Sequence, residues 1–171
     1  IWALNATCAN LIEEKNYLEA IPLLEKSIKL YPRQRGGNSP YGMLSMAHRE
    51  LGQADDELSV LEEWSAIEDS ATKLYERLME IYSDRKDWSS VERSAKRFFS
   101  ANPLSPVSHR FMALKSQETG DKTGSIRPLK RLLLLTPADP VDLHFRLASA
   151  LAESSPDEAK RHVLQALENA P

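Results

Sequence analysis

Long apolar runs, cysteines and glycines are all scarce in this chain of 171 residues. No apolar run is longer than the four leucines at 132–135, whereas a membrane-spanning helix needs about 20 apolar residues. The single cysteine, Cys8, excludes an internal disulfide framework and a thiolate metal cluster. Six glycines are too few for a turn-rich all-β protein. These absences favour a soluble helical domain.

The composition gives that domain enough material for a core, with 42% hydrophobic and 27% charged residues. A formal net charge of −3 produces no general attraction to nucleic acid or to anionic membranes. No signal peptide opens the chain, but the first residue is Ile1 rather than Met, so we expect a fragment of a larger protein. We expect a soluble protein and slightly favour the cytoplasm.

Prolines recur at a fixed interval and each follows an amphipathic stretch. Pro103, Pro137 and Pro171 are spaced by 34 residues, and Pro32 lies 71 residues before Pro103. Proline cannot continue a helix, so each marks a helix end. Gly52, Lys86 and Gly120 form a second column with the same spacing of 34, again after helical stretches. Each period therefore contains two helices joined by a tight turn.

A 34-residue period of helix, turn, helix and proline resembles the tetratricopeptide repeat (TPR) family. The first copy, with Tyr17, Ala20 and Leu24, and the last, with Ala159 and Ala166, match the family's second helix most closely. The resemblance implies an all-α, right-handed superhelical solenoid of about ten antiparallel helices. It would form one domain over 1–171, with repeats near 1–34, 38–71, 72–105, 106–139 and 140–171.

Two columns of second-helix residues are expected to pack against the first helices. One contains Ala20, Glu57, Val91, Ser125 and Ala159, and the other contains Ser27, Trp64, Phe98, Leu132 and Ala166. Trp64 and Phe98 replace the family's alanine, so we expect those repeats to be splayed or rotated. Glu57 fits worst: either its carboxylate meets Ser45 or solvent, or the register shifts and Leu58 is buried.

Catalytic motifs are not found: the sequence has no H-E-x-x-H zinc helix, phosphate-binding loop, dinucleotide-binding turn or nucleophile elbow. The four histidines share no metal-ligand spacing, and His48 is interpreted as a packing residue. Cys8 is interpreted as a buried inert thiol. We therefore expect no enzyme activity, no metal and no cofactor within these residues.

In the TPR family the first helix of each repeat lines a concave groove that holds a peptide or protein segment. The resemblance implies that a partner would be bound there by Asn5, Met46, Arg49, Lys73, Glu76, Arg77, Glu80, Arg110 and Leu114. The same columns also include Trp2, Ala9, Ile12, Glu13, Met43, Glu50, Asp84, Gln117, Glu118, Phe145, Ser149 and Glu153. Only Lys73 and Arg77 match the chaperone-binding subfamily, so a chaperone-tail receptor is not predicted. A groove that is merely a solvated surface, or is filled by the same polypeptide, is an equal alternative.

Charge is distributed unevenly along the chain. Residues 38–71 contain one arginine and eight acidic residues, whereas 106–137 contain six lysines or arginines and two acidic residues. Second-helix cations at a spacing of 34 are expected to form an outer basic strip of Arg93, Lys96, Arg97, Arg127, Lys130 and Arg131. The strip could dock an acidic partner or simply keep the outer face soluble.

The favoured function is a non-catalytic protein–protein interaction scaffold that binds a protein or peptide segment of unknown identity in the concave groove. The alternative is an accessory TPR region of a larger multidomain enzyme. Nucleic acid is not expected, because the strip lacks interleaved aromatic side chains and the net charge is negative. Membrane insertion is not expected. We expect either weak self-association through exposed terminal helices or a cap on them from residues of the larger protein.

Overall fold

Ten α-helices and no β-strand are found in the computed structural model, within the residues that it describes, 2–34, 39–135 and 139–170. Each of the five predicted repeat ranges contains two of them. None of these helices is long and apolar enough to cross a bilayer. The helices are α1 Trp2–Glu13, α2 Tyr17–Leu30, α3 Pro40–Glu50, α4 Ala54–Ser65, α5 Thr72–Asp84, α6 Trp88–Ala101, α7 Val107–Glu118, α8 Lys122–Leu134, α9 Pro140–Leu151 and α10 Pro156–Asn169.

The predicted helix ends and turns agree with these bounds. Pro32 and Pro103 directly follow the C-caps of α2 and α6, whereas Pro137 and Pro171 lie outside the described residues. Gly52, Lys86 and Gly120 all have positive φ, at 72°, 57° and 70°. In the turn after α5, the backbone N–H of Asp87 donates to the carbonyl of Tyr82 over 2.9 Å, as in a Schellman helix end.

The first compact unit extends to Ile81 and contains α1 to α4 and most of α5. Helix α2 packs against both α1 and α3, and α1 also contacts α3. Cys8, Ala20, Leu24 and Leu44 form a buried cluster between these helices. Ala20 therefore occupies the buried small-residue position that the repeat pattern predicts.

The position of Glu57 corrects the sequence-based expectation. Glu57 is buried, with 2% of its surface exposed, and Leu58 is only half-buried, so the register is not shifted. Its partner is not Ser45, whose hydroxyl donates to the carbonyl of Gly42. Instead, Arg77 of α5 donates from Nε and Nη2 to the two carboxylate oxygens of Glu57, over 2.7 and 2.9 Å. A bidentate ion pair satisfies this buried carboxylate.

Trp64 shows how the second column accommodates a large side chain. Trp64 is buried, and a Cβ placed on Gly42 of α3 would lie 3.2 Å from Cη2 of the indole ring. Glycine at position 42 has no side chain and therefore leaves room for the indole ring. An alanine at position 64, which is usual in the family, would not need this room. Close approach is the reason for glycine at this helical position.

The second compact unit begins at Tyr82 and contains the end of α5 and helices α6 to α10. Successive helices from α6 to α10 pack against one another. Their core is a buried cluster of Ala113, Leu129, Leu132, Leu147, Leu151 and Ala159. On α10, Leu164 and Leu167 are 58% and 68% exposed. Self-association through this apolar face stays a prediction.

Candidate functional site

Three of the predicted groove residues in the first unit, Asn5, Arg77 and Glu80, have hydrogen-bond partners within the protein. Asn5 of α1 accepts a hydrogen bond from the hydroxyl of Ser27, 2.8 Å away, and donates to the side chain of Gln34 over 3.1 Å. Arg77 holds the buried Glu57 and also donates from Nη1 to Glu80 over 2.8 Å. The hydrogen bond to Glu57 raises the pKa of Arg77 still further, so its charge is permanent. These contacts give Asn5 and Arg77 structural roles.

The other predicted groove residues of the first unit lie on α3 and α5. Met46 is 39% exposed, and Arg49 has its Nε 3.7 Å from the carboxylate of the neighbouring Glu50. Lys73 is exposed and Glu76 is half-buried. Trp2, which the same columns assign to the groove, has no described side chain. Met46, Arg49 and Lys73 are thus exposed on these helices, and among the described groove residues of the first unit the side-chain hydrogen bond found is the one from Arg77 to Glu80.

The predicted groove residues of the second unit come together. Arg110 and Leu114 of α7 line an open cavity of about 410 Å³ with Asp142 and Arg146 of α9. A second cavity of about 520 Å³ shares Ala113, Gln117, Asp142 and Arg146 with the first, so the two adjoin. It adds Phe145 and Ser149 of α9. We call this pair of cavities the α7–α9 cleft.

The α7–α9 cleft carries both signs of charge beside apolar surface. Arg146 lies 3.5 Å from Asp142, one turn away on the same helix, and Arg110 and Asp139 are exposed at the rim. Leu143 is half-buried, while Phe145 is 64% exposed. Such a surface can hold an apolar side chain and pair with charges on either side of it.

The outer basic strip is divided by its ion pairs. Lys96 lies 2.7 Å from Glu92 and Lys130 lies 2.7 Å from Glu158, whereas Arg93 donates to the hydroxyl of Ser90. Arg97 is half-buried and has an interaction partner. Hydrogen bonds from Lys115 and then Lys96 lower the pKa of Glu92 to about 2. These four cations therefore contribute to helix–helix contacts or local pairs.

Arg127 and Arg131 differ from the rest of the strip, because within the described residues neither guanidinium group forms a hydrogen bond or an ion pair. Both line a cavity of about 390 Å³ between α6, α7 and α8, which we call the basic pocket. Its lining is Ala95, Lys96, Phe99, Ser100, Ser108, His109, Met112, Gly124, Arg127, Pro128 and Arg131.

The aromatic side chains of the basic pocket correct another expectation. Phe99 packs edge-on against His109, with ring centroids 5.6 Å apart and planes at 63°. The expectation that no aromatic side chain is interleaved with the strip therefore fails at the basic pocket, which Phe99 lines together with Lys96, Arg127 and Arg131. Phe99 follows Lys96 by three residues, so helical periodicity places both on one face of α6 and could have revealed this neighbour. The contribution of α7, through Ser108, His109 and Met112, depends on tertiary packing and has no local sequence signal.

Cys8 and His48, which the repeat columns predict to be packing residues, are both buried in the described part of the chain. Within it, no group of three or more His, Cys, Asp or Glu side chains is arranged to hold a metal ion. Cys8 is fully buried, and burial raises the pKa of its thiol. His48 is buried and its Nδ1 lies 2.8 Å from the side-chain oxygen of Gln53 in the following turn. Both residues have the surroundings of packing residues.

Comparison with solved structures establishes the fold. One crystal structure of MamA protein is matched over 98% of this chain and 92% of the other, with a TM-score of 0.72 and 14% identity. This chain has the TPR fold. The 41-end fragment of MamA from Desulfovibrio magneticus RS-1 covers 97% of this chain at 12% identity, with 92% of its own length matched and a TM-score of 0.66.

YrrB, described as a TPR protein with an unusual peptide-binding site, is also similar. It is matched over 96% of this chain and 84% of its own, with a TM-score of 0.70 and 10% identity. No family model matches the sequence, and no curated protein is significantly similar to it. The resemblance inferred from the 34-residue period is thus confirmed for the fold.

Proposed function

We propose that this chain is a non-catalytic protein–protein interaction scaffold that binds a protein or peptide segment along the first helices of its repeats. The observation that carries the proposal is the α7–α9 cleft. Five of the seven residues that the repeat columns assign to the groove in the last two repeats line this cleft: Arg110, Leu114, Gln117, Phe145 and Ser149. Glu118 and Glu153 are not part of its lining. The seven residues were selected by their spacing in the sequence alone. The convergence of five of them on one concave surface is expected if that surface is a feature of the repeat.

The chemistry of the cleft favours a peptide over a small metabolite. The cleft is open and combines two guanidinium groups, two carboxylates and exposed apolar surface. Small-molecule sites, by contrast, enclose most of the ligand surface. YrrB has a peptide-binding site on the same fold, which supports this class of ligand.

A peptide library displayed on phage tests the proposal and does not require the partner to be identified first. The immobilised chain selects peptides, and their Kd values are compared for the groove variant Arg110→Glu/Phe145→Lys. Arg110 and Phe145 are both exposed, so we expect this variant to keep its melting temperature. A matched control, Leu18→Lys/Lys26→Glu, changes exposed residues of α2 in the same way.

We expect selected peptides to bind the groove variant at least tenfold more weakly, a loss of about 1.4 kcal/mol. The control variant should change Kd by less than twofold. Peptides that bind both variants equally, or a selection that yields no binding peptide, would contradict the groove assignment.

A further inference from the structure

The charged side chains that line the basic pocket are all cationic. Lys96 of α6 and Arg127 and Arg131 of α8 line it, and no aspartate or glutamate does. Arg127 and Arg131 are one turn apart on α8, so their like charges repel each other. Among the described residues neither is neutralised by a carboxylate. An anion between them would relieve this repulsion.

Buried polar atoms in the same pocket have no partner. Ser108 is 2% exposed, and in the described structure no group hydrogen-bonds its Oγ. The Nε2 atom of His109 is likewise buried and unpartnered. Buried polar groups in folded proteins are nearly always hydrogen-bonded, so two exceptions in one lining point to a ligand. Both residues lie in the first turn of α7, where the helix dipole favours an anion.

Apolar surface completes the pocket. Phe99 is 41% exposed despite its size, and Met112 and Pro128 form part of the lining. Methionine adapts its shape to different apolar partners. A volume of about 390 Å³ suits one large side chain with its flanking groups.

We propose that the basic pocket is a second binding site, which takes an acidic peptide segment with a large apolar side chain beside a carboxylate. The carboxylate pairs with Arg127 and Arg131 and accepts hydrogen bonds from Ser108 and His109. The apolar side chain packs on Phe99 and Met112. This site is independent of the proposed function, because its lining shares no residue with the α7–α9 cleft.

A single-stranded nucleic acid fits the pocket less well. Such ligands need a groove that follows several phosphates and aromatic side chains that stack on successive bases. The basic pocket is compact and offers Phe99 and the ring of His109, which already contact each other. An acidic peptide needs only one carboxylate and one apolar side chain to engage it.

The test follows the imidazole of His109 by NMR in the whole chain. Burial, then Arg131 and Arg127, lower the pKa of His109, and Lys96 faces the same pocket. The probe is acetyl-Gly-Glu-Phe-Glu-Gly-amide, compared with peptides in which both Glu become Gln or Phe becomes Ala. Arg127→Gln/Arg131→Gln is the pocket variant, and Lys160→Gln/Arg161→Gln, exposed on α10, is its matched control.

We expect saturable binding that raises the pKa of His109. The affinity should be at least tenfold lower for each altered peptide and for the pocket variant. For the control variant the affinity should change by less than twofold. The groove variant Arg110→Glu/Phe145→Lys should bind the probe normally, whichever way the phage selection turns out. The proposal is overturned if the probe does not bind, or if it binds the pocket variant unchanged. Stronger binding of inorganic phosphate or of an oligouridine at His109 would overturn it as well.

Discussion

Helix pairs α3/α4 and α9/α10 use the same packing positions with very different residues. The two columns of α10 contain Ala159 and Ala166, both buried and both typical of the TPR pattern. The corresponding positions of α4 contain Glu57 and Trp64, which are buried as well. The same fold therefore tolerates a carboxylate and an indole where alanine is usual.

Compensation by neighbouring helices explains this tolerance. Arg77 of α5 neutralises Glu57, and Gly42 of α3 makes room for Trp64. At α9/α10 the two positions contain alanine, so no neighbouring residue has to compensate for a large or charged side chain. Two histidines of this helix pair, His144 and His162, stack on each other. An unusual side chain at one of these positions is thus compensated by a residue on another helix. Replacing either partner should therefore lower the stability of the fold.

Removing Arg77 should have the largest effect. Arg77→Met leaves the carboxylate of Glu57 buried without its cation, and we expect the free energy of unfolding to fall by about 3 kcal/mol. Urea unfolding monitored by circular dichroism measures this loss.

The double variant Glu57→Val/Arg77→Met is the control. Valine occupies the corresponding position of the next repeat, at Val91, and is buried there. Replacing both charged partners by apolar residues of suitable size should restore most of the stability. A single variant that is as stable as the double variant would show that the ion pair does not compensate for Glu57.

Filling the space at Gly42 should cost less. Gly42→Val adds a branched side chain only 3.2 Å from the indole ring at its Cβ, and overpacking of this kind costs about 2 kcal/mol. Adding Trp64→Leu should recover part of the loss, because the smaller side chain vacates the contact. Valine is a better helix former than glycine, so helix propensity does not account for a loss of stability in Gly42→Val. Equal losses in Gly42→Val with and without Trp64→Leu would contradict the compensation.

The repeat pattern was predictable from the sequence, whereas the residues that compensate for Glu57 and Trp64 were not. The spacing of the prolines and of Gly52, Lys86 and Gly120 depends on local backbone preferences, which a helix end imposes wherever it occurs. The partner of Glu57 lies 20 residues away on another helix, and nothing in the local pattern indicates it. For the same reason the repeat pattern places Arg77 in the groove, although its guanidinium group forms hydrogen bonds with Glu57 and Glu80.

Candidate binding residues divide in the same way. The periodicity of the first helices predicts that Arg110 and Leu114 lie on one surface, and both line the α7–α9 cleft. Ser108 and His109 of the basic pocket were not predictable, because their unpartnered atoms become apparent only when α6 and α8 pack around them. Periodicity in the sequence identifies which face of a helix a residue lies on. Whether a buried polar atom finds a hydrogen-bond partner depends on the helices that pack around it.

The smallest predicted effect concerns pH at α9/α10. The Nδ1 atoms of His144 and His162 are 2.9 Å apart, so one must donate a hydrogen bond and the other must accept it. Burial, and then the neighbouring His162, lower the pKa of His144 below its ordinary value of 6.5. Because the folded value is the lower one, the stabilising contribution is complete above pH 6.5 and is lost as the pH falls through the folded pKa.

Urea unfolding at pH 7.5 and at pH 5.5 tests this sign. The wild-type chain should be less stable at pH 5.5, and His144→Gln should reduce the difference between the two pH values. His109→Gln removes the other histidine whose pKa burial lowers, so its effect on the difference should add to that of His144→Gln. The ordinary pKa values of carboxylates lie below this range, so their protonation contributes little. A wild-type chain that becomes more stable at pH 5.5, or a His144→Gln variant with an unchanged pH dependence, would show that protonation of His144 does not oppose folding.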